Sequence, residues 1–129
     1  MDDVTRKKGL LPLGLGGGRP ADAITGYHAH VYYDGETKQA AGHIRRAIDA
    51  KFDVQLGRWR DKINTLHSKS FYLIDFTTAD FAALVPWLAL NRHGVSILIH
   101  PKTGDAYADH TDHVMWLGAP VDIDTDSLK

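Results

Sequence analysis

Polar and apolar side chains alternate in two kinds of segment from about residue 25 onwards. Residues 25–33 alternate with a period of two, placing Tyr27, Ala29, Val31 and Tyr33 on one side and His28, His30 and Tyr32 on the other, the pattern of a strand with one buried face. Residues 36–50 change to a helical spacing, with Ala40, Ala41, Ile44, Ala47 and Ile48 on one stripe and His43 off it. Phe52, Val54 and Leu56 then alternate with Asp53 and Gln55, predicting a second strand, and Ser70–Phe76 predicts a third. Thr78 or Asp80 can cap a helix running to about Leu90, with Phe81, Leu84, Val85 and Leu88 inward and Pro86 expected to kink or shift it. Asn91-Arg92-His93-Gly94 reads as its closing turn. Val95–His100 is a fourth strand stopped by Pro101, and residues 114–118 are a candidate short fifth.

The order βαββαβ predicts an α+β, ferredoxin-like sandwich: one antiparallel four-stranded sheet with both helices on one face and the other face open. Residues 24–118 make up this domain. Before it, residues 1–23 gather Gly14, Gly16, Gly17, Gly18, Pro12 and Pro20 and read as a flexible tail. After it, residues 119–129 read as an acidic C-terminal arm, with Val121-Asp122-Ile123-Asp124 alternating like a strand.

With 129 residues and 43% hydrophobic side chains, the chain is sized for one domain with a modest core. A formal net charge of -1 gives no electrostatic case for nucleic acid. No apolar run reaches the ~18 residues of a membrane span. Leu10–Leu15, after Arg6, Lys7 and Lys8, mimics a signal peptide only faintly and breaks into glycines, so the expected address is the cytoplasm. The absence of cysteine removes thiolate metal sites, disulfides and thiol nucleophiles. Any metal must therefore be held by imidazole and carboxylate.

Eight histidines are present. His28 and His30 lie two apart on the first strand and share the open face. His100 has the matching parity on the fourth strand, which this topology places antiparallel beside the first. His67 precedes the third strand and can approach from the other side. Converging imidazoles suit a metal site or an acid/base pair, whereas His43 and His93 read as surface residues. Asp34, Asp105 and Asp109 are carboxylate candidates, but none falls on the sheet face by parity. Glu36, at a helix start, more simply favours the helix dipole. An all-histidine site suits Zn²⁺ as well as iron. Arg58 is a candidate for holding an acidic substrate, and Trp87 and Trp116 read as core or interface residues.

Four segments together resemble the DOPA 4,5-dioxygenase family: Tyr27-His28-Ala29-His30-Val31-Tyr32-Tyr33-Asp34, Trp87–Gly94, His100-Pro101-Lys102-Thr103-Gly104-Asp105, and Asp109-His110-Thr111 with Trp116-Leu117-Gly118. The resemblance spans residues 25 to 118 in order. It implies extradiol cleavage of a catechol with O₂ as co-substrate, a histidine-bound non-haem Fe(II), and a homodimer that covers the open face. The family's histidines carry over at His28, His30, His100 and His110. His67 also fits, although members tend to have Gly-Pro-His-Pro where this chain has Thr65-Leu66-His67-Ser68, which leaves that loop less rigid. The expected metal ligands are His30, His67 and His100, with His28 or His110 as acid/base and Tyr32 and Arg58 as substrate contacts. Zn²⁺ is the expected contaminant of a purified protein. Two other readings stand beside this one: a non-enzymatic dimeric module that binds a metal or small ligand on the sheet face, and a metal-free ferredoxin-like monooxygenase or isomerase.

Overall fold

The computed structural model describes residues 18–61 and 67–129; most of the expected N-terminal tail, residues 1–17, lies outside them. The elements follow the expected order: β1 (Tyr27–Tyr33), α1 (Lys38–Lys51), β2 (Gln55–Leu56), β3 (Ser70–Phe76), α2 (Thr78–Asn91) and β4 (Ile97–Pro101). Three elements come after them, a single helical turn α3 (Ala106–Asp109), the strand β5 (Met115–Leu117) and a short terminal helix (Thr125–Leu128).

The sheet has five strands rather than the expected four, in the order β2-β3-β1-β4-β5. β5 adds to the free edge of β4, with Ile97 opposite Leu117 and Ile99 opposite Met115. The second strand is shorter than its alternation predicts. Phe52 and Val54 pack against the core without joining the ladder, and pairing begins only at Gln55. Beyond Leu56 the Gly57 amide still bonds to Leu73 O at 2.8 Å, where an added Cβ would come within 3.2 Å of the Leu73 side chain. A glycine there lets the two backbones approach closely.

Local chemistry sets the helix ends. Asp34 Oδ1 accepts from the amides of Glu36 and Thr37 and from the Thr37 hydroxyl, so α1 begins at Lys38, after Glu36 rather than on it. Thr77, not Thr78 or Asp80, precedes the first turn of α2. The Asp80 carboxylate reaches back to the Thr77 amide and hydroxyl at 3.1 and 2.8 Å, satisfying a donor that the helix leaves orphaned. The helix runs through Pro86, which sits at an exposed position.

The core lies between the sheet and the two helices: Ala29, Val31, Tyr72, Ile74, Phe76, Ile97 and Ile99 meet Ala41, Ile44, Ile48, Leu84 and Leu88. Each fully buried Ile or Leu contributes about 1.5–3 kcal/mol. On the other face, Tyr32, Phe71 and Leu98 form a second apolar cluster covered by Val114, Trp116, Val121 and Ile123. The face expected to be bare is thus partly roofed by the chain's own C-terminal segment. His67 pairs with Ile123 in an isolated antiparallel bridge, and Ser68 Oγ donates to Asp122 O at 2.8 Å. No helix among the described residues is long and apolar enough to cross a membrane.

Candidate metal centre

The roof covers one end of this face, and imidazoles fill the other. Register places His28 opposite His100 across β1 and β4, and opposite Asp75 across β1 and β3. His30 sits two residues further along, opposite Leu73 and Leu98. The period of a strand and the antiparallel order therefore suffice to gather His28, His30 and His100. Two loops supply the rest. His67 enters ahead of β3, its ring centroid 4.5 Å from that of His30. His110 follows α3, its ring centroid 4.2 Å from that of His100.

Among the described residues two triads have ligand atoms mutually within 4.8 Å, His28–His30–His100 and His30–His67–His110, and His30 belongs to both. The Nε2 atoms of His30 and His100 lie 3.3 Å apart. His100 Nδ1–H donates to the Pro101 carbonyl at 2.8 Å, and His110 Nδ1–H donates to the Ala106 carbonyl at 2.8 Å. A carbonyl only accepts, so in both neutral rings the Nε2 lone pair is left for another partner. His30 Nδ1 is buried without a hydrogen-bond partner.

Burial sets the protonation states. Desolvation, then the neighbouring imidazoles, pushes His30 well below the ordinary histidine range. Burial likewise pulls His67 and His100 down to about 4, although the Pro101 carbonyl opposes it at His100. His28 is lowered less: burial is the main cause, and the Asp75 carboxylate works against it. These rings are neutral at pH 7, the form that binds metals. Facing Nε2 atoms, carbonyl-fixed tautomers and an orphaned His30 nitrogen make up a donor set that a divalent transition metal fits.

Tyr32, expected to touch substrate, is 1% exposed, and its hydroxyl lies 2.7 Å from His67 Nδ1. Its ring stacks against Trp116, so it orients His67 from beneath rather than meeting a ligand. Arg58 is not brought into the cluster. It stays exposed on the stretch between Gly57 and Arg60, which are bonded to the outer edge of β3. The carboxylate candidates do structural work elsewhere. Asp34 closes the turn before α1, and Asp105 Oδ1 caps α3 by accepting from the Ala108 amide at 3.1 Å. Asp109 is buried and accepts from the Thr103 amide and hydroxyl and from His113 Nδ1. Burial alone would raise its pKa, but these bonds hold it below the usual carboxylate range. His43 and His93 are exposed, their rings meeting each other 5.0 Å apart.

Sequence reasoning missed Asp75. Its carboxylate accepts from His28 Nε2 at 3.2 Å and from Lys102 Nζ at 3.1 Å. The signal was present, because Phe71, Leu73 and Asp75 share the parity of the open face. An apolar reading of β3 hid it.

The model of the Dopa 4,5-dioxygenase family matches residues 27–127. An uncharacterized 21.2 kDa protein of Botryotinia fuckeliana is 29% identical over 115 residues, covering 80% of this chain and 63% of that protein. The DOPA 4,5-dioxygenase of Amanita muscaria is 30% identical over 105 residues, covering 74% of this chain and 46% of that protein. The chain therefore spans less than two thirds of the length of either relative. Among solved structures, a candidate dioxygenase from Nostoc punctiforme superposes with a TM-score of 0.83 at 44% identity, covering 85% of this chain and 96% of that one.

Proposed function

We propose that this chain, which belongs to the Dopa 4,5-dioxygenase family, cleaves a catechol ring in the extradiol manner with O₂ at a histidine-held non-haem iron. The observation that carries the proposal is the convergence of five imidazoles on one sheet face, with the Nε2 atoms of His30 and His100 facing each other at 3.3 Å. His30, His67 and His100 are the ligands in this reading. They are the three buried histidines, and burial favours the neutral ring that a metal requires. Fe(II) bound there would supply a redox partner and open positions for catechol oxygens and O₂. Zn²⁺ would occupy the same nitrogens without redox activity.

The protein's own groups do the rest. His28 and His110, only partly buried, flank the three ligands and are placed to exchange protons with a catechol hydroxyl. Tyr32 and the Pro101 carbonyl hold His67 and His100 in orientation. Trp116, Val121 and Ile123 keep water from the floor of the site.

The test starts from full-length protein stripped of metal and loaded anaerobically with Fe(II). On admitting air with L-DOPA or simpler catechols, O₂ uptake and a yellow ring-opened product are expected. Neither appearing with any catechol of the panel, at confirmed iron occupancy, would overturn the reading.

A further inference from the structure

Lys102 stands at the rim of the histidine face, and the ring-cleavage proposal gives it no task. It follows His100 by two residues, just past the end of β4, and so keeps the parity of that face. Its backbone is fixed on both sides: the amide donates to Gly26 O at 2.8 Å, and the carbonyl accepts from the Thr25 amide at 2.9 Å. The side chain then crosses Gly26, where an added Cβ would come within 2.9 Å of Lys102 Cε. A glycine at that position gives the lysine its path across the chain. The path ends on β3 at the Asp75 carboxylate, with Nζ 3.1 Å from Oδ1 and 3.4 Å from Oδ2. Asp75 Oδ2 also lies 3.2 Å from His28 Nε2, so one carboxylate joins the ammonium to the imidazole cluster.

The two ends of this face differ in chemistry. At one, Trp116, Val121 and Ile123 cover Tyr32, Phe71 and Leu98. At the other, the Lys102 and Asp75 side chains are 34% and 38% exposed. A ring seated among the imidazoles therefore meets apolar side chains on one side and a charged pair on the other. An ammonium carries three N–H donors, and the two Asp75 oxygens engage at most two of them. The third is available to an anion arriving from solvent. We infer that Lys102 is a specificity-determining residue, whose ammonium, held in place by Asp75, binds a carboxylate on the substrate's ring substituent. The preferred substrate is then an anionic catechol. The inference rests on the catechol reading for the ring and adds to it the charge of what the ring carries. It gives Lys102 the task that the sequence offered to Arg58, which stays exposed away from the cluster.

The test uses Zn²⁺-loaded, full-length protein, in which binding is read without turnover. Three catechols of similar size differ in charge: dihydrocaffeate (carboxylate), 4-ethylcatechol (neutral) and dopamine (ammonium). Calorimetric Kd values should favour dihydrocaffeate over 4-ethylcatechol by about 5–30-fold, and by less as salt is raised. Lys102→Met should cancel that preference, and Lys102→Arg should keep most of it. With the ammonium gone, the Asp75 carboxylate faces the ligand unneutralised, so dopamine should bind Lys102→Met more tightly than it binds the wild type. Lost packing alone would weaken all three ligands together. In the iron-loaded enzyme, Lys102→Met should raise KM for dihydrocaffeate by a similar factor, with a smaller effect on kcat. Equal wild-type affinities for the three ligands, a wild-type preference for dopamine, or a uniform loss in Lys102→Met would each overturn the inference and leave the catechol reading standing. If no catechol binds the Zn²⁺-loaded protein, the functional reading fails and this inference falls with it.

Discussion

At the scale of single residues, the centre is built unequally. His30 belongs to both close triads and is the more deeply buried of the two β1 histidines. His30→Ala should therefore reduce Fe(II) or Zn²⁺ affinity by at least about 10²-fold, at the upper end of what loss of one supporting group costs a metal site, and His100→Ala should do the same. Full metal occupancy in either folded variant, measured by elemental analysis after dialysis, would refute the ligand set. Asp109 makes a contrasting case, because its hydrogen bonds go to Thr103 and His113 rather than to an imidazole of the centre. Asp109→Ala would strand the Thr103 amide and hydroxyl and His113, which now share its carboxylate. A destabilisation of about 2–4 kcal/mol in urea titration is expected. The cost should extend to catechol turnover, because His110, an acid/base candidate, follows Asp109 directly and its ring is fastened to Ala106 in the same turn.

Strand parity made part of this centre legible, whereas the loops had no such code. Period-two alternation in β1 and β4, together with their antiparallel adjacency, dictates that His28 meets His100, and the register bears this out. The strands β4 and β3 were equally readable because each holds a dense apolar stretch, Ile97–Ile99 and Phe71–Ile74. Parity also pointed to Tyr32, but it gives only a face and not depth. Trp116 and the His67 ring cover that face at Tyr32, so the side chain serves His67 instead of a ligand. His67 and His110 depend on contacts distant in sequence. The bridge from His67 to Ile123 and the Ser68–Asp122 bond tie one histidine-bearing loop to the C-terminal segment. The short terminal helix Thr125–Leu128 is followed by Lys129, whose ammonium lies over the Tyr107 ring of α3. One segment thus braces both loops. Removing residues 119–129 should expose the cluster of Tyr32, Phe71 and Leu98 and release the His67 backbone. Lower thermal stability together with weaker metal binding is expected. Unchanged metal affinity in a destabilised but folded truncation would show that His67 is positioned without the brace.

For the whole molecule, a buried set of neutral imidazoles makes stability depend on pH with a defined sign. His67 and His100 have native pKa values of about 4, against an ordinary 6.5 in the unfolded chain. Between these values the unfolded state binds more protons than the native one, so stability rises with pH across that window. The contribution is complete above pH 6.5 and is lost as pH falls towards 4. Each ring accounts for about 3 kcal/mol at the conversion of roughly 1.4 kcal/mol per pKa unit. That is a large share of the ~5–15 kcal/mol that holds a domain together, so metal-free protein should unfold within the window rather than below it. A metal bound to the native state alone adds about 2.7 kcal/mol at a hundredfold excess over its Kd. Protons compete with the metal for the native rings only around their own pKa of about 4, so this increment should persist across the window and shrink at its lower end. Urea midpoints recorded with chelator and with saturating Zn²⁺ should therefore form two curves that both fall with pH, stay apart across the window and converge only around pH 4 and below. A metal-free curve that stays level from pH 6.5 down to 4.5 would mean that the rings are hydrated in solution. The cluster would then be a surface feature, without the low dielectric on which its chemistry depends.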